Sequence, residues 1–136
     1  MRSAPIVVTR SDFQRLTSLL TSGLASRFAK HVESLARELS RARIVPAAAI
    51  AANVVTMNST VAYANEQDLP SKVTIVYPWD ASPNRGSVSV FAPLGTALLG
   101  MREGQSIEWT NPSGRKHRWT VLSVLFQPEA QGILYL

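Results

Sequence analysis

Residues 77–100 read Y-P-W-D-A-S-P-N-R-G-S-V-S-V-F-A-P-L-G-T-A-L-L-G, and the punctuation of this stretch decides the fold. Asp80 to Gly86 carries two of the strongest chain-reversing residue types, proline and glycine, with Asn84 between them, and reads as a turn. Ser87 to Phe91 alternates serine with apolar residues before reaching Phe91, the pattern of a strand with one buried face. Pro93 suits the first position of a helix, where a missing N–H costs nothing, and Gly100 suits its stop. Leu94 to Leu99 is therefore read as a short helix.

Strand signals flank this stretch on both sides. Lys72 to Tyr77 is β-branched and alternating. Val54 to Met57 and Thr60 to Tyr63 read as strands around Asn58-Ser59. Gly104 turns the chain into Ser106 to Trp109, and Asn111-Pro112-Ser113-Gly114 makes a hairpin loop before a long final strand, Arg115 to Phe126. The expectation is α+β: an antiparallel sheet with one short helix packed on it.

The N-terminal third has a different period. Ile6 to Val8 is an apolar lead-in, a strand or a hydrophobic staple. Thr9 and Asp12 have the spacing of a capping box, with Asp in place of Glu. Phe13, Leu16, Leu19 and Leu20 then share one helical face, Ser22-Gly23 interrupts, and Phe28, Val32, Leu35 and Leu39 recur as an a/d seam. These predict a short antiparallel two-helix coiled coil whose longer arm spans about 25 Å at 1.5 Å per residue. Pro46 ends the second helix. The expected organisation is a helical hairpin over 1–45, a linker over 46–52 and a sheet domain with its own core over 53–136.

Composition excludes several functions. A chain of 136 residues with 46% hydrophobic and 17% charged residues is globular. It has no cysteine and two histidines, His31 and His117, far apart in sequence. Disulfides, thiolate chemistry and a histidine metal site are thereby set aside, and no metal or other cofactor is expected. The net charge of +5 favours a polyanionic neighbour. No apolar run approaches a membrane span, the N-terminus lacks the apolar core of a signal peptide, and a cytoplasmic location is expected.

Over Tyr77 to Val124 the chain resembles the FKBP-like C-terminal domain of the Gre transcript-cleavage factors. The resemblance rests on Pro78, Asp80, Ala81, Pro83, Gly86, Ser89, Gly104, Pro112 and Gly114, and above all on P-L-x-x-A-L-L-G at Pro93 to Gly100. V-V-T-M-N-S-T-V at Val54 to Val61 and V-L-F-Q-P-E-A at Val124 to Ala130 are similar to a narrower branch, the regulators of nucleoside diphosphate kinase. The resemblance implies docking on bacterial RNA polymerase beside its secondary channel, with the hairpin projecting inward. It also implies that the docking loop is Phe91-Ala92-Pro93-Leu94. Gre factors carry a polar or acidic pair ahead of that proline, so Phe91-Ala92 leaves an apolar contact in its place.

Gre-type cleavage needs carboxylates at the hairpin tip to hold a second Mg²⁺, because hard cations take oxygen ligands. Between Asp12 and Glu33 there is neither Asp nor Glu, and the tip, Thr21-Ser22-Gly23, is acid-free. No catalytic residue is expected. Asp80 and Glu108 read as a turn cap and a solvated strand residue. Trp79, Trp109 and Trp119 read as core or edge residues, with a peptide groove as the other option. Arg115-Lys116-His117-Arg118 reads as a solvated hairpin arm, with nucleic-acid contact as the other option, and His31 as a packing-edge residue.

The leading expectation is a non-catalytic regulator that binds RNA polymerase, competes with Gre-type factors and affects nucleoside diphosphate kinase levels indirectly. Nucleic acid is met only through the transcription complex, and no membrane partner is expected. Alternatives are an FKBP-type prolyl isomerase or chaperone and a nucleic-acid-binding module.

Overall fold

A three-residue strand, β1 (Val7–Thr9), opens the computed structural model, which describes residues 5–22, 29–110 and 113–134. Gly23, Phe28, the side chain of His31 and Asn111-Pro112 lie outside the described residues. Thr9 is the N-cap of α1 (Arg10–Leu20): its hydroxyl oxygen accepts the Asp12 N–H at 3.0 Å. Helix α2 (Ala29–Ser40) follows, and β2 (Arg43–Val45) returns to pair in parallel with β1, Val8 opposite Ile44. Parallel neighbours need a long crossover, and the two helices supply it. The lead-in at Ile6 to Val8 is thus largely a strand, and its partner was not among the expected elements.

The main sheet has five strands in the order β5-β4-β3-β7-β6: β3 (Thr60–Ala64), β4 (Pro70–Val76), β5 (Ser87–Ser89), β6 (Ser106–Thr110) and β7 (Lys116–Phe126). Every pairing is antiparallel except β4 with β5, which is parallel. The expected antiparallel sheet is therefore mixed. The cause is the segment after Val76, which folds through two 3-10 turns, Pro78–Asp80 and Pro83–Arg85, and sends β5 along β4 in the same direction. Gly86 closes the second turn in the left-handed region at φ +74°.

Val54 to Met57 is not a strand. Val54 makes a single bridge to Arg102. Beyond it the chain turns: the Thr56 N–H donates to the Ser59 hydroxyl at 2.9 Å, and Asn58 sits at φ +67°. Helix α3 (Pro93–Leu98) packs beside the sheet, as the proline and glycine punctuation implies. Gly100, at φ +78°, follows it where β1 arrives; its carbonyl accepts the Val7 N–H at 3.2 Å, and a Cβ there would run into Ile6.

Buried apolar side chains form a cluster that runs from the helices into the sheet. Leu16, Leu35 and Leu39 belong to it together with Val55, Met57, Phe91, Leu98 and Val121. The architecture is α+β. No helix among the described residues is long and apolar enough to cross a membrane.

Candidate functional site

The loop before α3 is built by short-range bonds. The Phe91 N–H donates to the Ser89 hydroxyl at 3.0 Å, and the Ala92 N–H to the Ser89 carbonyl at 3.0 Å. The Thr96 hydroxyl donates to the Val90 carbonyl at 2.6 Å, tying the helix back to the strand that precedes it. Gly95 is required by proximity, since a Cβ would overlap the Ser89 carbonyl oxygen. Within this loop Phe91 is 2% exposed and belongs to the core. Ala92, Pro93 and Leu94 are half-buried, so they form the surface that this loop offers.

At the other end of the hairpin, Thr21 and Ser22 are exposed. Their hydroxyls turn back to the helix: Thr21 Oγ1 donates to the Ser18 carbonyl at 3.0 Å and Ser22 Oγ to the Leu19 carbonyl at 2.6 Å. They satisfy carbonyls that a helix end leaves without partners. The helical turns of α1 and α2 number 11 and 12 residues, about 17 and 18 Å.

Between these ends lies a polar junction that the sequence reading did not foresee. Asp12 is 5% exposed, and its Oδ2 accepts the Met57 N–H at 3.1 Å, joining α1 to the turn before β3. Burial pushes the Asp12 carboxyl up to about 6; the Met57 N–H, Arg15 and Thr9 oppose that rise, and Glu129 adds to it. The Thr56 hydroxyl donates to Glu129 Oε1 at 2.7 Å, and Gln127 Nε2 donates to the Ala51 and Val54 carbonyls, each at 2.8 Å. The segments Val54 to Val61 and Val124 to Ala130 are thus one structural unit, closed on α1 by Asp12. Burial, with Asp12 adding to it, pushes the neighbouring Tyr77 hydroxyl up to about 12. One signal pointed here: Asp12 shares the apolar stripe of Leu16 and Leu19, where an unpartnered acid would be costly.

Beside the junction runs a groove of about 720 Å³, lined by Gln14, Arg15 and Ser18 of α1, Asn58, and Tyr77, Trp79 and Asp80 of the following turn. Trp79 is 64% exposed and stacks on Tyr77 with ring centres 5.2 Å apart. Trp109 and Trp119 lie on β6 and β7 and stack with each other at 5.7 Å, so the three tryptophans do not line one groove. Asp80 and Glu108 are not brought together either: Asp80 lines the groove, and Glu108 faces Arg118 across β6 and β7. Among the described residues no group of three His, Asp or Glu side chains is placed to hold a metal ion.

The sequence matches two family models: "Transcription elongation factor, GreA/GreB, C-term" over residues 50–126, and "Rnk N-terminus" over residues 5–45. It is 37% identical over 133 residues to the regulator of nucleoside diphosphate kinase of Escherichia coli K12, covering 97% of both chains. The transcription elongation factor GreA of Novosphingobium aromaticivorans is 33% identical over 85 residues, which cover 62% of this chain and 54% of that protein. A solved GreA/GreB elongation factor from Nitrosomonas europaea superposes with a TM-score of 0.72 at 36% identity, covering 89% of this chain and 99% of that one. The chain belongs to the family of the regulators of nucleoside diphosphate kinase, built on a Gre-type fold with a GreA/GreB C-terminal module.

Proposed function

We propose that this chain is a non-catalytic transcription regulator of the bacterial cytoplasm that docks on RNA polymerase at the mouth of the secondary channel and competes there with Gre-type factors. The observation that carries this reading is an acid-free stretch from Phe13 to Val32, spanning the hairpin tip, beside a Gre-type module. In the same reading, residues 1–45 act as a short two-helix coiled coil, 46–52 as its linker and 53–136 as an FKBP-like docking domain. Any effect on nucleoside diphosphate kinase is indirect, through regulated expression. Ala92, Pro93 and Leu94, held over the buried Phe91, supply the apolar contact, and Thr21 and Ser22, with Gly23 next in sequence and outside the described residues, belong to the acid-free segment assigned to the channel.

The direct test is capture of core RNA polymerase on the immobilised protein, with a Gre factor as competitor. The double variant Pro93→Ser, Leu94→Gln is expected to lose most of that capture while its circular dichroism keeps the wild-type shape. Unchanged capture by the folded variant would remove the loop from the docking surface. If no polymerase is captured by the wild type, the whole reading fails.

Chemistry gives a second test. Added alone to a backtracked polymerase complex, the protein is expected to release no 3′ RNA fragment above the intrinsic rate. There is no carboxylate from Phe13 to Val32 to complete the shell of a second Mg²⁺. Added beside a Gre factor, it should lower cleavage in proportion to its occupancy. Stimulated cleavage by this protein alone contradicts the non-catalytic role.

A further inference from the structure

The groove between α1 and the Pro78–Asp80 turn presents hydrogen-bond donors that the fold leaves unused. On the helix wall Gln14 and Ser18 stand four residues apart on one face. The facing wall is the turn, closed by the Asp80 N–H, which donates to the Tyr77 carbonyl at 2.9 Å. Asn58 completes the lining, its backbone fixed by donation of its N–H to the Ile75 carbonyl at 2.7 Å. Gln14, Ser18, Asn58 and Trp79 each bring a side-chain donor that meets no acceptor among the described residues.

Trp79 is the aromatic plate of this groove. One face of its ring lies on Tyr77 with the planes 5° apart, and the residue is 64% exposed, so the other face is open. Tyr77 belongs to the core and holds the plate in place. A ring fixed in this way loses little freedom when something lands on it.

The lining sets aside several occupants. Small-molecule sites bury most of their ligand's surface, whereas Gln14, Arg15, Ser18, Trp79 and Asp80 are all exposed. Among the described lining residues Arg15 is the one base and Asp80 the one acid. A phosphate would meet a single cation with Asp80 opposing it, and a free cation on Trp79 would meet Arg15. Neutral chains remain, and hydrogen bonding selects among them. An ordinary peptide brings an N–H donor with nearly every carbonyl. A proline-rich one brings carbonyls without N–H groups, solvated along a polyproline II helix that is extended before it binds. Such a chain suits a surface of unused donors, and its rings pack on exposed aromatic faces.

We infer that this groove docks a proline-rich segment of a partner protein in the polyproline II conformation. One proline ring rests on Trp79, chain carbonyls accept from Gln14, Asn58 and the Trp79 indole N–H, and Asp80 pairs with a basic residue flanking the prolines. None of these contacts depends on polymerase docking.

The test is fluorescence anisotropy of a labelled decaproline carrying one terminal arginine, titrated with the full chain and no polymerase. Saturable binding is expected. Trp79→Ala should weaken it roughly 5- to 30-fold, the range for truncating an aromatic interface anchor, and Trp79→Phe should restore part of the loss. Asp80→Asn should abolish the preference for the arginine-bearing peptide over plain decaproline, which keeps a readout if Trp79→Ala misfolds. Pro93→Ser with Leu94→Gln should bind the peptide as the wild type does, so failure here is separable from failure of polymerase docking. The assignment is overturned by absence of saturation, by equal binding of a glycine–serine peptide of the same length and charge, or by unchanged affinity in folded Trp79→Ala. An arginine preference that survives Asp80→Asn, or displacement of the peptide by a nucleoside monophosphate, overturns it as well.

Discussion

Leu35→Ala should destabilise the protein by about 2–5 kcal/mol, the range for removing a fully buried leucine side chain. Leu35 is 0% exposed and lies in one cluster with Val55, Phe91 and Leu98, so the cavity opens between the hairpin and the sheet. The expected shift in melting temperature is on the order of 10 °C for a domain of this size. Tryptophan fluorescence and far-ultraviolet circular dichroism together check it. Trp109 and Trp119 lie in the sheet, whereas much of the ellipticity comes from α1 and α2, so coincident transitions mean that hairpin and sheet unfold together. Two separated transitions, only the helical one moving, would make 1–45 and 53–136 independent folding units.

Local punctuation made much of this fold legible. The proline before α3 and the glycine after it bracketed the helix within a residue, because both act through their own backbone. What failed was non-local. Alternation in Ser87 to Phe91 marks a strand and says nothing of its direction, so the parallel pairing with β4 was invisible. The strand also ends at Ser89, because Phe91 turns into the core. Arg43 to Val45 is too short to announce itself and exists because Val7 to Thr9 waits beside it. Val54 to Met57 has the composition of a strand, yet the Ser59 hydroxyl claims the Thr56 N–H and makes a turn instead.

The candidate site divides along the same line. An absence is legible outright: no fold can place a carboxylate on a tip whose sequence has none. The groove needed the fold before Gln14, Asn58 and Trp79 came to line it together. Asp12 was legible only in half. Its spacing from Thr9 located the cap, and the cap is there. Its carboxylate, however, also reaches 45 residues along the chain to the Met57 N–H, a contact no local rule contains.

That carboxylate sets the second large effect. Its folded value of about 6 lies above the ordinary 3.8 because burial disfavours the charged form. The folded state therefore holds the proton more tightly than the unfolded state. This group's contribution is most favourable below pH 3.8 and declines as pH rises through the folded value, reaching its full cost above about 6. Two units correspond to about 3 kcal/mol at the upper end. Asp12→Asn keeps an oxygen to accept the Met57 N–H and removes the charge. At pH 7.5 it should stabilise the chain by about 2 kcal/mol, some of the gain being offset by the lost attraction to Arg15. At pH 4 the two proteins should differ little. Denaturant titrations across pH 4–8 measure the difference, and a difference that does not change with pH would show that Asp12 does not titrate in this window. Asp12→Leu separates charge from geometry: it leaves the Met57 N–H buried without an acceptor and should lose stability at every pH. The Asp12 carboxylate joins α1 to the turn before β3 through the Met57 N–H. Under the proposed function, Asp12→Asn should keep competition with a Gre factor at the level of the unsubstituted chain, while Asp12→Leu should weaken it even at temperatures where the variant remains folded.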